Sequence, residues 1–171
     1  MTSDGGATRW DERLIDALEG YGERGDRAAL AALRRGLGKA PSPAPEVYPY
    51  VVPRLPREVG VRAEEAAYLI AALFALHPLS WKPTGEGGAT NLGASFRRVW
   101  DRETNSSTEK RFVGLLNCHR DDLHEHLRSA VSLLRAHEVA VDWLRLLRDV
   151  RDWEAESRWV QRAWARAFWG T

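Results

Sequence analysis

From Thr108 to the end of the chain, apolar residues recur every three or four positions. Phe112, Leu115 and Leu116 form one stripe, Leu123, Leu127, Val131 and Leu134 a second, and Trp143, Leu146, Leu147 and Val150 a third. The last comprises Val160, Ala163, Trp164, Ala167 and Phe168. That period places each set on one side of an α-helix, whereas a half-buried strand needs strict alternation. Each stripe has a cap candidate ahead of it, namely Thr108, Asp121 or Asp122, Asp142 and Ser157, whose side-chain oxygens can satisfy free amides of a first turn. Four amphipathic helices joined by short links predict a compact bundle over residues 107–170. No segment of the 171 residues alternates convincingly, so the expected class is all-α.

The N-terminal half carries the same period with more interruptions. A helix is predicted from Thr8 to Glu19, ended by Gly20, Gly22 and Gly25, and a second from an Asp26 cap to Arg35, ended by Gly36. Pro41, Pro43, Pro45, Pro49, Pro53 and Pro56 then exclude long regular helix, because proline lacks an amide donor and restricts its predecessor. Glu46 to Val52 has room for a turn or two. Ala66, Ile70, Leu73 and Phe74 share a face of a strong helix from Ala63 to Leu76, stopped by Pro78. A glycine-rich loop, Pro83 to Thr90, precedes an Asn91-capped helix reaching about Arg102. The expectation is about eight helices in a single unit over 1–171. Sub-bundles fall at 8–103 and 107–170, on either side of polar Thr104 to Ser107.

The same residues narrow the function. A hydrophobic fraction of 44% supports a packed core. The longest apolar run, near Ala66 to Leu76, is too short to span a bilayer, and Met1 to Ala7 lacks the pattern of a signal peptide. A cytoplasmic protein with no membrane partner is expected. Cys118 is the only cysteine, which excludes an internal disulfide and a cysteine-clustered metal site. Cys118, His119, His124 and His126 lie close together, but helix positions two apart face about 200° from each other, so His124 and His126 cannot share a ligand face. Their spacing matches no zinc pattern either, and they read as surface or capping histidines. Gly85, Gly87, Gly88 and Gly93 are followed by no lysine and preceded by no strand, so they make no phosphate-cradling loop. The acid pairs Glu64–Glu65 and Asp121–Asp122 sit at helix starts, where carboxylates offset the macrodipole. No catalytic residue, no metal and no cofactor is expected.

Charge has to be read locally, since 25 basic and 24 acidic residues leave a net charge of +1. Arg158, Arg162 and Arg166, spaced by four, line one face of the last predicted helix, while Arg128 with Arg135 and Arg27 with Arg34 share faces at seven. Arg34–Arg35, Arg97–Arg98 and Lys110–Arg111 are adjacent basic pairs near helix ends. Cations projecting at intervals are what a protein needs to replace the counterions condensed on a nucleic-acid backbone. A solvated face neutralised by interleaved acids is the competing reading of any one stripe. Among the eight tryptophans, Trp143, Trp153 and Trp164 belong to the core; Trp10, Trp81 and Trp100 are placed for exposure, suited to a protein interface or to stacking on bases.

Taken in order, these motifs resemble one family. Leu33-Arg34-Arg35-Gly36, the stretch Tyr68 to Pro78, and Asn91-Leu92-Gly93 ahead of Arg97 and Arg98 are similar to segments of CasB, the small subunit of the type I-E CRISPR surveillance complex Cascade. The fullest likeness runs through Lys110-Arg111-Phe112, Leu115-Leu116, Arg120, Leu123, Leu127-Arg128 and Val131 to Leu134. It continues through Val141-Asp142-Trp143, Leu146-Leu147, Asp149 and Trp153 to Val160-Gln161, Trp164-Ala165 and Phe168-Trp169-Gly170. The resemblance covers about Arg27 to Gly170. It implies an all-helical, non-catalytic subunit present in two copies beside other Cascade subunits. That subunit stabilises guide RNA–target DNA pairing and the displaced strand through backbone contacts. Carried over by position, Arg34, Arg35, Arg97, Arg98, Lys110, Arg111, Arg120 and Arg128 are the implied nucleic-acid contacts. Lys110 stands where arginine is common, and Asn91 where serine is usual. The alternative is a helical protein–protein adaptor that touches no nucleic acid, to which near-zero charge and abundant tryptophan also answer.

Overall fold

The computed structural model describes residues 7–38, 44–83, 90–103 and 107–170, which form nine α-helices and two short 3₁₀ turns. The chain divides into two compact units, Met1–Pro78 and Leu79–Thr171. The division falls at Pro78, where the sequence reading separated sub-bundles near residues 104–106. The reason is that the helix following Asn91 packs with the C-terminal helices.

In the first unit, α1 (Ala7–Glu23) passes straight through Gly20 and Gly22, further than the predicted end at Glu19. A Cβ on Gly22 would stand 3.2 Å from the Phe74 ring, so this glycine serves close packing. The chain turns at Gly25, whose φ of 62° is in the left-handed region. Asp26 caps α2 (Arg27–Arg34) as expected, accepting from the Ala29 amide at 3.0 Å. The described part of the proline-rich connection holds 3₁₀ turns at Pro45–Val47 and Val52–Arg54 around the single turn of α3 (Tyr48–Val51). Helix α4 (Val61–Leu76) buries Ala66, Ala67 and the whole run Ile70 to Ala75. Trp10, expected at the surface, is buried in the core, as are Leu14 and Leu18 of the same helix.

The second unit contains α5 (Leu92–Trp100), α6 (Ser107–Asn117), α7 (Arg120–Ala136), α8 (Trp143–Arg151) and α9 (Trp159–Trp169). Asn91 and Asp142 cap α5 and α8 through the Ala94 and Arg145 amides. Thr108 is not a cap: α6 already begins at Ser107, and the fully buried Thr108 hydroxyl donates to Glu103, which also pairs with His137 at 2.8 Å. Ser157 is not a cap either. That place belongs to Arg158, at φ 49°, whose guanidinium reaches the Leu116 carbonyl at 2.7 Å. Helices α5 and α9 touch so closely that a Cβ on Gly93 would lie 2.1 Å from the Trp164 carbonyl oxygen. Rings of Phe96, Phe112, Phe168 and Trp100 stack through this contact with centroids 4.4–5.2 Å apart. Asp149, fully buried, accepts from the Trp164 indole at 2.7 Å and the Arg145 Nε at 2.8 Å. Burial is the main force raising its pKa. The glycine-rich loop falls largely on residues 84–89, outside the described residues.

Candidate nucleic-acid interface

Helices α6 and α7 lie side by side, and between them runs an open groove of about 460 Å³. Lys110, Arg111 and Gly114 supply the α6 wall; on a helix, positions three and four apart are neighbours, so these residues share one face. Glu125, His126 and Ser129 supply the α7 wall, and Phe96 and Ala130 close the floor. With no side chain at Gly114, the His126 ring stands 3.8 Å from where a Cβ would be, which leaves the groove narrow but unfilled. Arg128, three residues beyond Glu125, is exposed on α7. Lys110 and Arg111 are exposed too, and none of these three cations has an ion-pair partner among the described residues.

The other predicted contacts have different surroundings. Arg97 donates to Asp101 and to the Phe168 carbonyl, each at 2.8 Å, and lies over Trp100 with 5.0 Å to the ring centroid, which binds α5 to the end of α9. Arg120 stands 3.8 Å from Glu154 with most of its side chain covered. Arg98 is half-buried. In the first unit, Arg34 donates to the Ala75 carbonyl at 2.8 Å, tying α2 to α4, and Arg35 faces Glu46 at 3.8 Å. The structure therefore brings Lys110 and Arg111 together at the groove, leaves Arg128 exposed on α7 outside its lining, and commits Arg97 and Arg120 to partners inside their own unit. Glu125, His126 and Ser129 escaped the sequence reading as groove residues, although their three- and four-residue spacing on α7 was visible.

Burial, reinforced by Asp122, pushes the Cys118 thiol up to about 11, which leaves it protonated and weakly nucleophilic at neutral pH. No group of three histidine, cysteine or acidic side chains suited to a metal ion occurs among the described residues. No described helix is long and apolar enough to cross a membrane.

Helices packed around aromatic stacks, with no strand among the described residues and a basic open groove, define an all-helical protein whose recognisable surface is electrostatic. Within that class, the chain belongs to the CRISPR-associated protein Cse2 family, whose profile matches residues 29–169. The CRISPR-associated protein Cse2 of Thermus thermophilus is 38% identical over 163 residues, 93% of this chain and 89% of that one. A crystal structure of CasB from Thermus thermophilus superposes with a TM-score of 0.78 at 36% identity, covering 94% of this chain and 98% of that one. A chain of a CRISPR RNA-guided surveillance complex, in a pre-nicking state, gives 0.77 at 31% identity, covering 95% and 93%.

Proposed function

We propose that this chain is a non-catalytic, cytoplasmic small subunit of a CRISPR RNA-guided surveillance complex. In this reading it sits beside other subunits and a second copy of itself, and stabilises guide RNA–target DNA pairing and the displaced strand. The observation that carries the proposal is the pair Lys110 and Arg111 lining an open groove, both exposed and without an ion pair among the described residues, with Arg128 likewise exposed on the neighbouring helix α7. Phosphates bear no base identity, so such cations hold strands of any sequence, and guide pairing supplies the specificity. Arg34 and Arg35 in the first unit, and Arg98 in the second, are proposed as further backbone contacts. Arg97 and Arg120 contribute by holding α9 and α7 in place. Membership of a complex suits a chain of net charge +1, because assembly raises effective concentration and lowers the affinity each subunit must supply.

The test is equilibrium binding of single-stranded and duplex DNA across a salt series, with Lys110, Arg111 and Arg128 replaced together by alanine. Each lost contact flattens log affinity against log salt by about 0.7 for a single strand and about 0.9 for a duplex. The triple variant should therefore lose about 2 from the single-strand slope, equally for unrelated sequences, and in the assembled complex should impair target opening more than guide loading. An unchanged slope, or no binding by the wild type at low salt alone or assembled, would favour the protein–protein adaptor.

A further inference from the structure

Helix α9 has two opposite faces. At 100° per residue, Val160, Gln161, Trp164 and Phe168 fall on one side, and all four are buried. Trp159, Arg162, Arg166 and Trp169 fall within an arc of about 80° on the other. Both arginines there are exposed, and the two tryptophans keep 38% and 39% of their surface in solvent. The helix carries no acidic residue, and neither Arg162 nor Arg166 has an ion-pair partner among the described residues. Ten rises of 1.5 Å place the two indoles about 15 Å apart along the axis with the guanidiniums between them. Both rings are held from behind: the Arg145 guanidinium lies 5.8 Å from the Trp159 centroid, and Trp169 donates to Glu109 at 2.9 Å while packing edgewise on Phe112 and Phe168.

We infer that this outer face of α9 is a second nucleic-acid site, a stacking platform for single strands. Two bases lie on Trp159 and Trp169, and the intervening phosphates meet Arg162 and Arg166. The inference rests on the proposed nucleic-acid role but differs from the α6–α7 groove in its contact chemistry, since a π-face recognises an unpaired base and a duplex offers none. Protein interfaces are also enriched in aromatics and arginine, so what singles out a strand here is the spacing and charge of the face. Here the positions between are two cations, and the indoles stand apart as separate stacking surfaces. Unpaired positive charge bracketed by exposed rings complements a base–phosphate chain.

The test uses the full chain and two fluorescently labelled oligonucleotides of equal length and charge, one with bases and one abasic. The wild type should bind the intact strand roughly tenfold more tightly for each stacked base. Replacing Trp159 and Trp169 with alanine should abolish that preference and leave the salt slope unchanged; Trp159→Phe with Trp169→Phe should retain part of it. Arg162→Ala with Arg166→Ala, exposed changes that leave the core intact, should keep the preference and flatten the single-strand slope by about 1.4. Equal binding of intact and abasic strands by the wild type overturns the platform and leaves the groove standing. So does an unaltered preference in the tryptophan variants, or an unaltered slope in the arginine pair. Loss of binding to a protein subunit without loss of oligonucleotide binding would show that α9 is a protein contact instead. Failure of the wild type to bind any strand overturns the nucleic-acid role itself.

Discussion

Gly93→Ala isolates the contact on which the second unit depends. The added Cβ would stand 2.1 Å from the Trp164 carbonyl oxygen and 2.8 Å from its carbonyl carbon and Cα, whereas ordinary contact begins at 3.4 Å. Every one of these atoms is backbone, so no rotamer change relieves the clash and α5 must draw away from α9. That movement opens the stack of Phe96, Phe112, Phe168 and Trp100 and stretches the Arg97 bond to the Phe168 carbonyl. Forcing a single methyl into a well-packed core typically costs about 1–3 kcal/mol, and an unyielding backbone neighbour places this case at the upper end, about 3 kcal/mol. For a chain of this length that corresponds to a fall in Tm of roughly 6–12 °C, read by calorimetry or by circular dichroism at 222 nm. Gly114→Ala is the control, since its Cβ would meet nothing nearer than 3.8 Å. A Gly93→Ala protein melting within about 1 °C of wild type would refute the close approach of the two helices.

Arg97→Ala should lower Tm by several degrees and leave the salt dependence of DNA binding unchanged, because its three contacts are internal; a flattened slope would return Arg97 to the phosphate-binding set. Trp164→Phe deprives buried Asp149 of one of two donors, a loss of about 1–3 kcal/mol. Burial raises the folded pKa of Asp149, so the stability it contributes is fully present below the ordinary carboxylate range and is lost as pH rises through the folded value. The Trp164→Phe penalty should accordingly be larger at pH 7.5 than at pH 4 in urea unfolding, and an equal penalty would mean that Asp149 keeps one protonation state across that range. Cys118, its thiol raised to about 11, should react with a thiol reagent at pH 8 far more slowly than free cysteine, with its rate climbing as pH approaches that value.

What was legible in the sequence follows from the range of the forces involved. Caps made by Asp26, Asn91 and Asp142 depend on a short side chain and an amide three residues on, and each was readable from local pattern. Ser157 misled because the start of α9 is decided by Arg158 reaching the Leu116 carbonyl, 42 residues away in the chain. Gly20 and Gly22 read as stops, yet Gly22 serves the approach of Phe74, and the turn waits for Gly25, where a positive φ is needed. Pairing Arg97 with Arg98 by adjacency said nothing of where either goes. Arg97 is claimed by a carbonyl 71 positions later, and only the folded chain could disclose that. The exposure of Trp159 and Trp169 follows from their lying off the apolar stripe of α9, a position that the helical period carries and a count of aromatics does not.

The near-neutral charge, which by itself does not announce a nucleic-acid partner, follows from how the arginines are distributed. Acids hold Arg35, Arg97, Arg120, Arg145 and Arg151 through Glu46, Asp101, Glu154, Asp149 and Asp152. Those pairs cancel in the total and contribute little field beyond a Debye length, about 8 Å at physiological salt. Lys110 and Arg111 at the groove, Arg128 on α7, and Arg162 and Arg166 on α9 have no ion-pair partner among the described residues, and all five project from the same unit. A potential of one sign over part of a surface steers phosphates whatever the sum over the chain. Two kinds of substitution should therefore part company although both remove positive charge. Loss of a partly covered, paired arginine such as Arg97 or Arg120 should appear in stability, and loss of an exposed cation without an ion pair in the salt dependence of binding.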